Sequence, residues 1–261
     1  MTGIGGEESR SKHTAGTQSR VWRVREALLD WYAERRRELP WRETQDPYAI
    51  LVSEVMLQQT QASRVAPRWV AWLEHWPTVQ SLAAAPTAEV IRAWQGLGYN
   101  RRAVSLQRAV RVVAERGWPD DLTELPGVGP YTAAAVECFA FGRPVLPVDV
   151  NVRRVQERTG EEFDHTSAQA LMDLGATVCI ARVPRCGECP LAAACPSRGL
   201  RFEPLRKQSP FEGSFRQRRA QTLRLVAECP RPLASLDAEA VQALERDELV
   251  RVEDELVRLP A

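Results

Sequence analysis

Four cysteines, Cys179, Cys186, Cys189 and Cys195, fall in the spacing C-x6-C-x2-C-x5-C. Thiols this close in sequence can converge on one small inorganic core, and such a core ties the surrounding chain more tightly than any short run of apolar residues. Zinc and a 4Fe-4S cluster both accept four thiolates, so ligand type alone leaves the metal open. The rest of the chain narrows the compartment. No stretch approaches the roughly 20 apolar residues of a membrane span. Residues 1–17, rich in Gly, Ser, Thr and charge, lack the apolar centre of a signal peptide and read as a disordered leader. Six cysteines without a secretory signal imply a reducing, cytoplasmic setting and free thiols.

Apolar residues recur with helical spacing from Val21 to Cys179. Trp22, Arg25, Leu28, Leu29 and Tyr32 line one helix that runs toward Arg35-Arg36-Arg37, and Leu39-Pro40-Trp41 stops it. Asp46-Pro47 opens a second helix reaching Gln59, with proline at its first position. Further helices are predicted over 62–73, 87–95, 101–116, 130–140, 150–158 and 166–178, separated by prolines and glycines. Strand patterning is confined to 249–252 and 256–259, around Glu253-Asp254-Glu255. With 261 residues, the chain reads as an all-α core with a short helix-and-hairpin appendage.

Net charge is only +1, but it is unevenly placed. Residues 198–224 carry Arg198, Arg201, Arg206, Lys207, Arg216, Arg218, Arg219 and Arg224, and the last 25 residues are acidic. The belt could track phosphates or be a solvated linker face. His13, His75 and His165 are scattered with no nucleophile beside them, which argues against a triad hydrolase.

Leu125-Pro126-Gly127-Val128-Gly129-Pro130-Tyr131-Thr132-Ala133 is a glycine hinge followed at once by a helix start. Its glycines permit a tight turn and close backbone approach, and the next helix presents free N–H groups and a positive dipole end to an anion. An ordinary helix–helix turn also uses Pro-Gly. The full string is narrower and favours DNA phosphate binding through Pro126, Gly127, Val128 and Gly129.

From about Leu28 to Cys195 the chain resembles the helix-hairpin-helix DNA glycosylases, and within them the A/G-specific adenine DNA glycosylases. The likeness rests on Leu39-Pro40-Trp41-Arg42, Ser53-Glu54-Val55-Met56-Leu57-Gln58-Gln59-Thr60-Gln61, Gly96-Leu97-Gly98-Tyr99, the hairpin, Val148-Asp149-Val150-Asn151-Val152-Arg153-Arg154-Val155, Met172-Asp173-Leu174-Gly175-Ala176 and the cysteines. The resemblance implies a two-lobed all-α fold. Its core would span 18–195, with a six-helix part over about 46–145 and a cluster part of 18–45 plus 146–195. A basic linker, 196–214, and a winged-helix-like tail, 215–261, would follow. It also implies that the four cysteines hold a 4Fe-4S cluster.

The resemblance makes Glu54 the catalytic acid. Alone, Ser53 and Glu54 read as the wet stripe of an amphipathic helix; a buried Glu54 would instead keep its proton for N7 of adenine, which leaves deoxyribose poorly as an anion. Asp149 supplies the second carboxylate, which stabilises or traps the oxocarbenium-like sugar, although Asp before Val150-Asn151 is also a good helix N-cap. Asn151 would orient it. Tyr131 stands where bifunctional relatives carry a Schiff-base lysine, so no strand cleavage is expected. Gln58, Gln59 and Tyr99 match positions that wedge into the duplex or contact the partner base once adenine is flipped out. Cys138 and Cys229 read as ordinary small apolar residues.

The expected function is therefore monofunctional excision of adenine opposite guanine or 8-oxoguanine from double-stranded DNA, by a monomer, leaving an abasic site. A thymine or uracil mismatch glycosylase and a catalytically impaired iron–sulfur DNA-binding protein are the rivals. Three departures stand out. The segment between Val155 and Ala170 is short, residues 196–261 are too few for the Nudix-like domain of such enzymes, and Asn100 stands where a second aromatic often follows Tyr99.

Overall fold

The computed structural model describes residues 23–203 and 210–261. The proposed leader, the helix start at Trp22, and Arg206 and Lys207 of the belt lie outside the described residues. The chain divides into two compact units, one of residues 39–142 with 210–261 and one of residues 23–38 with 143–203.

In the first unit α2, Pro47–Leu57, is the central element. Asp46 caps it by accepting from the Tyr48 N–H at 3.0 Å, and every residue from Tyr48 to Met56 is buried. A helix apolar all round must sit inside others. Those in contact with it are α3 (Ala62–His75), α6 (Arg101–Arg116) and α7 (Pro130–Phe139), with α4 (Val79–Ala84) and α5 (Thr87–Ala93) packed on α6. Their shared core is rich in tryptophan, and Trp72 meets Trp76 and Trp94 edge-on. The indole of Trp69 donates to the Ala49 carbonyl at 2.8 Å, and the Tyr48 hydroxyl donates to the Trp76 carbonyl at 2.9 Å. The second helix ends at Leu57, two residues early, so Gln58 and Gln59 lie in the turn beyond it. The six-residue α4 was not anticipated, although its capping box, with Thr78 and Ser81 exchanging hydrogen bonds, was readable in the chain.

The C-terminal residues of this unit form α10 (Phe215–Glu228), β1 (Arg231–Pro232), α11 (Ala238–Arg246), β2 (Arg251–Glu253) and β3 (Leu256–Arg258). The strands pair antiparallel in the order β1-β3-β2, so the anticipated hairpin gains an edge strand that sequence patterning missed. Leu249 and Val250 precede the hairpin as core residues instead of opening it.

In the second unit α1, residues 23–35, packs on α8 (Val150–Thr159) and α9 (Ala168–Thr177) around Leu28, Val152, Val155, Leu171 and Leu174. Asp173, fully buried, takes the Arg37 backbone N–H at 2.9 Å and its Nε at 2.7 Å, which ties the end of the N-terminal segment to α9. Between α8 and α9 only residues 160–167 intervene, closed by a 3-10 turn over His165–Ser167. Gly175 lets the two helices approach at close range, because a Cβ there would lie 2.6 Å from Asn151 Cβ and 3.0 Å from its carbonyl oxygen.

Candidate active site and cysteine loop

Glu54 lies on the central helix at 5 % exposure, and its neighbour Ser53 is fully buried, with its hydroxyl donating to the Ile50 carbonyl at 2.8 Å. The wet-stripe reading of this pair is therefore corrected: α2 has no wet face at this level. Glu54 is buried together with Val52, Val55 and Met56 because neighbouring helices pack on this one.

Gly127 has φ +79°, and a Cβ on it would lie 2.6 Å from Ser105 Cβ of α6, so both backbone conformation and packing demand glycine. Gly129 is the N-cap of α7 with no side chain capping it, which leaves that helix end to backbone groups. Pro126, Gly127 and Val128 line one groove together with Gln58, Arg101 and Ser105. Gln58 Nε2 also reaches Thr132 Oγ1 at 3.5 Å. Tyr131 is the second residue of α7, partly exposed.

Sequence reasoning missed the residue that organises this surface. The guanidinium of Arg102, on α6, donates to the carbonyls of Val55, Met56 and Gln58 at 2.7–2.9 Å and to those of Leu97 and Gly98 at 3.1 and 2.9 Å. It thereby staples the end of α2 to the Gly96–Tyr99 turn. Burial lowers its pKa to about 10, so it stays charged at neutral pH. Both segments it holds contain a non-glycine residue in left-handed backbone, Gln59 at φ +54° and Tyr99 at φ +46°. Such conformations persist where the surroundings over-determine them, and they cluster at functional sites. Tyr99 is 45 % exposed.

In the other unit Asp149 is the N-cap of α8. Oδ1 accepts from the Asn151 and Val152 N–H groups at 2.8 and 2.7 Å, and Oδ2 accepts from Asn151 Nδ2 at 2.8 Å. All three partners donate, so the group is oriented as an acceptor. Asn151 in turn takes Arg154 Nη2 at 2.6 Å, and Arg154 also donates to the carbonyls of Gly175 (2.6 Å) and Cys179 (2.8 Å). A continuous chain of hydrogen bonds thus runs from Asp149 to the first cysteine. The tandem Arg153-Arg154 was visible in the motif, but the Gly175 and Cys179 carbonyls that Arg154 holds lie more than twenty residues away.

The four expected ligands, Cys179, Cys186, Cys189 and Cys195, line one cavity. Donors already point at their sulfurs: Arg158 Nη1 lies 3.5 Å from Cys179 Sγ, and the Gly199 N–H 3.3 Å from Cys186 Sγ. Arg158, 6 % exposed, is held by the Ile180 and Ala181 carbonyls and lies 3.7 Å from the centre of the Phe202 ring. Burial pushes the Cys189 thiol up to about 11, which a bound cation would reverse. Among the described residues no group of three His, Cys, Asp or Glu side chains is placed to hold a single metal ion. Cys138 is partly buried as anticipated; Cys229 is exposed at the end of α10, which corrects its reading as a small apolar residue.

The comparisons define the class first. Residues 52–174 match the sequence model of the HhH-GPD superfamily base excision DNA repair proteins. An adenine DNA glycosylase of Mycolicibacterium smegmatis is 42 % identical over 246 residues, covering 82 % of this chain and 84 % of the relative. One of Mycobacterium tuberculosis is 44 % identical over 80 % and 81 %. The human adenine DNA glycosylase is 37 % identical over 72 % of this chain and 42 % of its own length. The chain belongs to the adenine DNA glycosylase family. Among solved structures, a thermostable thymine-DNA glycosylase is similar with a TM-score of 0.62, 28 % identity and coverage of 69 % and 97 %. A trapped endonuclease III–DNA covalent intermediate, at TM-score 0.58 and 24 % identity, shares the fold.

Proposed function

We propose that this protein is a monofunctional DNA glycosylase that hydrolyses the N-glycosidic bond of adenine mispaired with guanine or 8-oxoguanine in duplex DNA, acting as a cytoplasmic monomer and leaving an abasic site. The observation that carries the reading is the pair of acidic residues in opposite surroundings. Glu54 is buried on the central helix at 5 % exposure, the setting in which a carboxyl group can keep the proton that a donor must hold. Its role is to protonate N7 of adenine so that the base departs neutral. Asp149, held as an acceptor by its cap hydrogen bonds, stabilises the cationic sugar, and a water completes the hydrolysis. Asn151 positions Asp149.

Tyr131 has no amine for an imine with the sugar, so the abasic strand stays intact. The Pro126–Gly129 hairpin and the uncapped start of α7 take a phosphate through backbone N–H groups. Gln58, Gln59 and Tyr99 fill the space of the extruded adenine and contact its partner, with Arg102 fixing the turns that carry them.

The cysteine loop suits a 4Fe-4S cluster held by Cys179, Cys186, Cys189 and Cys195. Four thiols line one cavity, and their C-x6-C-x2-C-x5-C spacing is the one that the family resemblance associates with such a core. Such a core cross-links residues 179–195, and base removal takes no step through it. The purified protein should be yellow-brown, absorb near about 400 nm and carry roughly four irons per chain; a colourless protein with one zinc would reject the cluster.

A second reading, thymine removal, has the likeness to a thymine-DNA glycosylase behind it. Alkaline cleavage of labelled duplexes with A·8-oxoG, A·G, T·G and U·G centres after incubation with the protein separates the two. Cleavage confined to the adenine strands of the first two is the expected result; cleavage at T·G or U·G alone would overturn it.

A further inference from the structure

The C-terminal residues do not stand apart from the six-helix part. Ile91 of α5 and Val104 of α6 belong to the same buried cluster as Leu223 and Val226 of α10, Val241 and Leu244 of α11, and Val257 of β3. Polar contacts frame this cluster. Arg92 Nε donates to the Ala227 carbonyl at 2.9 Å, Arg101 lies 3.9 Å from Asp247, and Arg108 pairs with Glu248. The helices gripped in this way are the two stems of the turn that carries Tyr99.

That turn needs outside support. It contains Gly96 and Gly98, both at positive φ, and ends in the left-handed Tyr99. A Gly-Leu-Gly-Tyr segment has little stiffness of its own, whereas a wedge must resist a duplex that resists opening by a few kcal/mol. From inside, Trp94 Nε1 donates to the Gly98 carbonyl at 3.1 Å and Arg102 holds the neighbouring carbonyls. From outside, the tail holds α5 and α6. The tail's own basic residues are largely neutralised within it, Arg218 by Asp237 and Glu239 and Arg219 by Asp247.

We propose that the tail is a brace that acts through Ile91 and Val104 as positioning residues, fixing the α5–α6 turn and with it the point from which Tyr99 enters DNA. The role of Tyr99 itself rests on the function proposed above; the brace does not.

Hydrogen exchange on the full-length protein reads the brace directly. The amides of Gln95, Leu97, Arg102 and Ala103 bond to the carbonyls of Arg92, Trp94, Tyr99 and Asn100, so their exchange reports opening of the turn. In Ile91→Ala/Val104→Ala these amides should exchange about tenfold faster. Val110→Ala, on the same helix but in the other core, should leave them unchanged relative to the rest of α6. No acceleration, or the same acceleration in Val110→Ala, overturns the brace. If the double variant fails to fold, Ile91→Val reads the same amides with a rise of about twofold, and no rise again overturns it.

Extrusion is read by fluorescence of 2-aminopurine placed opposite guanine. It should fall about fivefold in the double variant while affinity for a matched duplex stays within about twofold. Tyr99→Ala is measured beside it. If Tyr99→Ala extrudes the base like wild type, the wedge reading fails, and the exchange data still decide the brace.

Discussion

Glu54 and Asp149 are both acidic, both on helices, and differently housed. Glu54 is in the middle of a buried helix, where the backbone N–H groups around it are taken up by the helix itself. Asp149 is at a helix start, where free N–H groups are the defining feature, and it accepts three hydrogen bonds. Position along a helix, rather than residue type, divides the roles: mid-helix burial suits the acid, and the N-terminal cap suits the fixed acceptor.

The largest effects should come from removing either role while keeping volume. Glu54→Gln and Asp149→Asn should each lower single-turnover excision of adenine about a thousandfold, with duplex affinity nearly unchanged. Retention of more than a few per cent of the rate in either would dissolve the assignment for that residue.

Next come the supports of Asp149. Asn151→Ala and Arg154→Gln should slow excision about tenfold to a hundredfold without weakening matched-duplex binding, because each cuts one link between the carboxylate and the cysteine loop. A rate equal to wild type in Arg154→Gln would show that the cap alone holds Asp149.

Gly175→Ala tests the packing beneath the same carboxylate. The added methyl meets backbone and Cβ of Asn151, which cannot swing aside, so stability should fall by about 1–3 kcal/mol in denaturant titration. A neutral result would mean that α8 and α9 slide apart freely.

The smallest effect belongs to the basic belt. With Arg218 and Arg219 paired to tail acids, Arg218→Gln should change the slope of log affinity against log salt by less than about one. A larger change would return the tail to the role of an electrostatic clamp that its sequence suggested.

Much of the site was legible because it rests on local chemistry. The proline and Asp46 cap of α2, the α6 boundaries at Arg101 and Arg116, and the capping geometry of Asp149 all follow from neighbours in sequence. The burial of Ser53 and Glu54 was not local: it depends on helices arriving on all sides of α2. Arg102, Arg154 and Arg158 escaped notice for the same reason, since an arginine that bonds distant carbonyls reads in sequence like any solvated one. The packing of the tail on Ile91 and Val104 was hidden because both fit equally well into an ordinary helix core. Gln58 and Gln59 were assigned to a helix that ends without the glycine that usually marks such a stop.

The division of roles is tested most directly by the dependence of single-turnover excision on pH. A general acid must lose its proton as pH rises, so the wild-type rate should fall on the alkaline side. In Glu54→Gln the residual rate should lose that limb and become flat, whereas in Asp149→Asn the limb should persist at a lower rate. An alkaline limb that survives in Glu54→Gln, or vanishes only in Asp149→Asn, would contradict the assignment of proton donation to the buried glutamate.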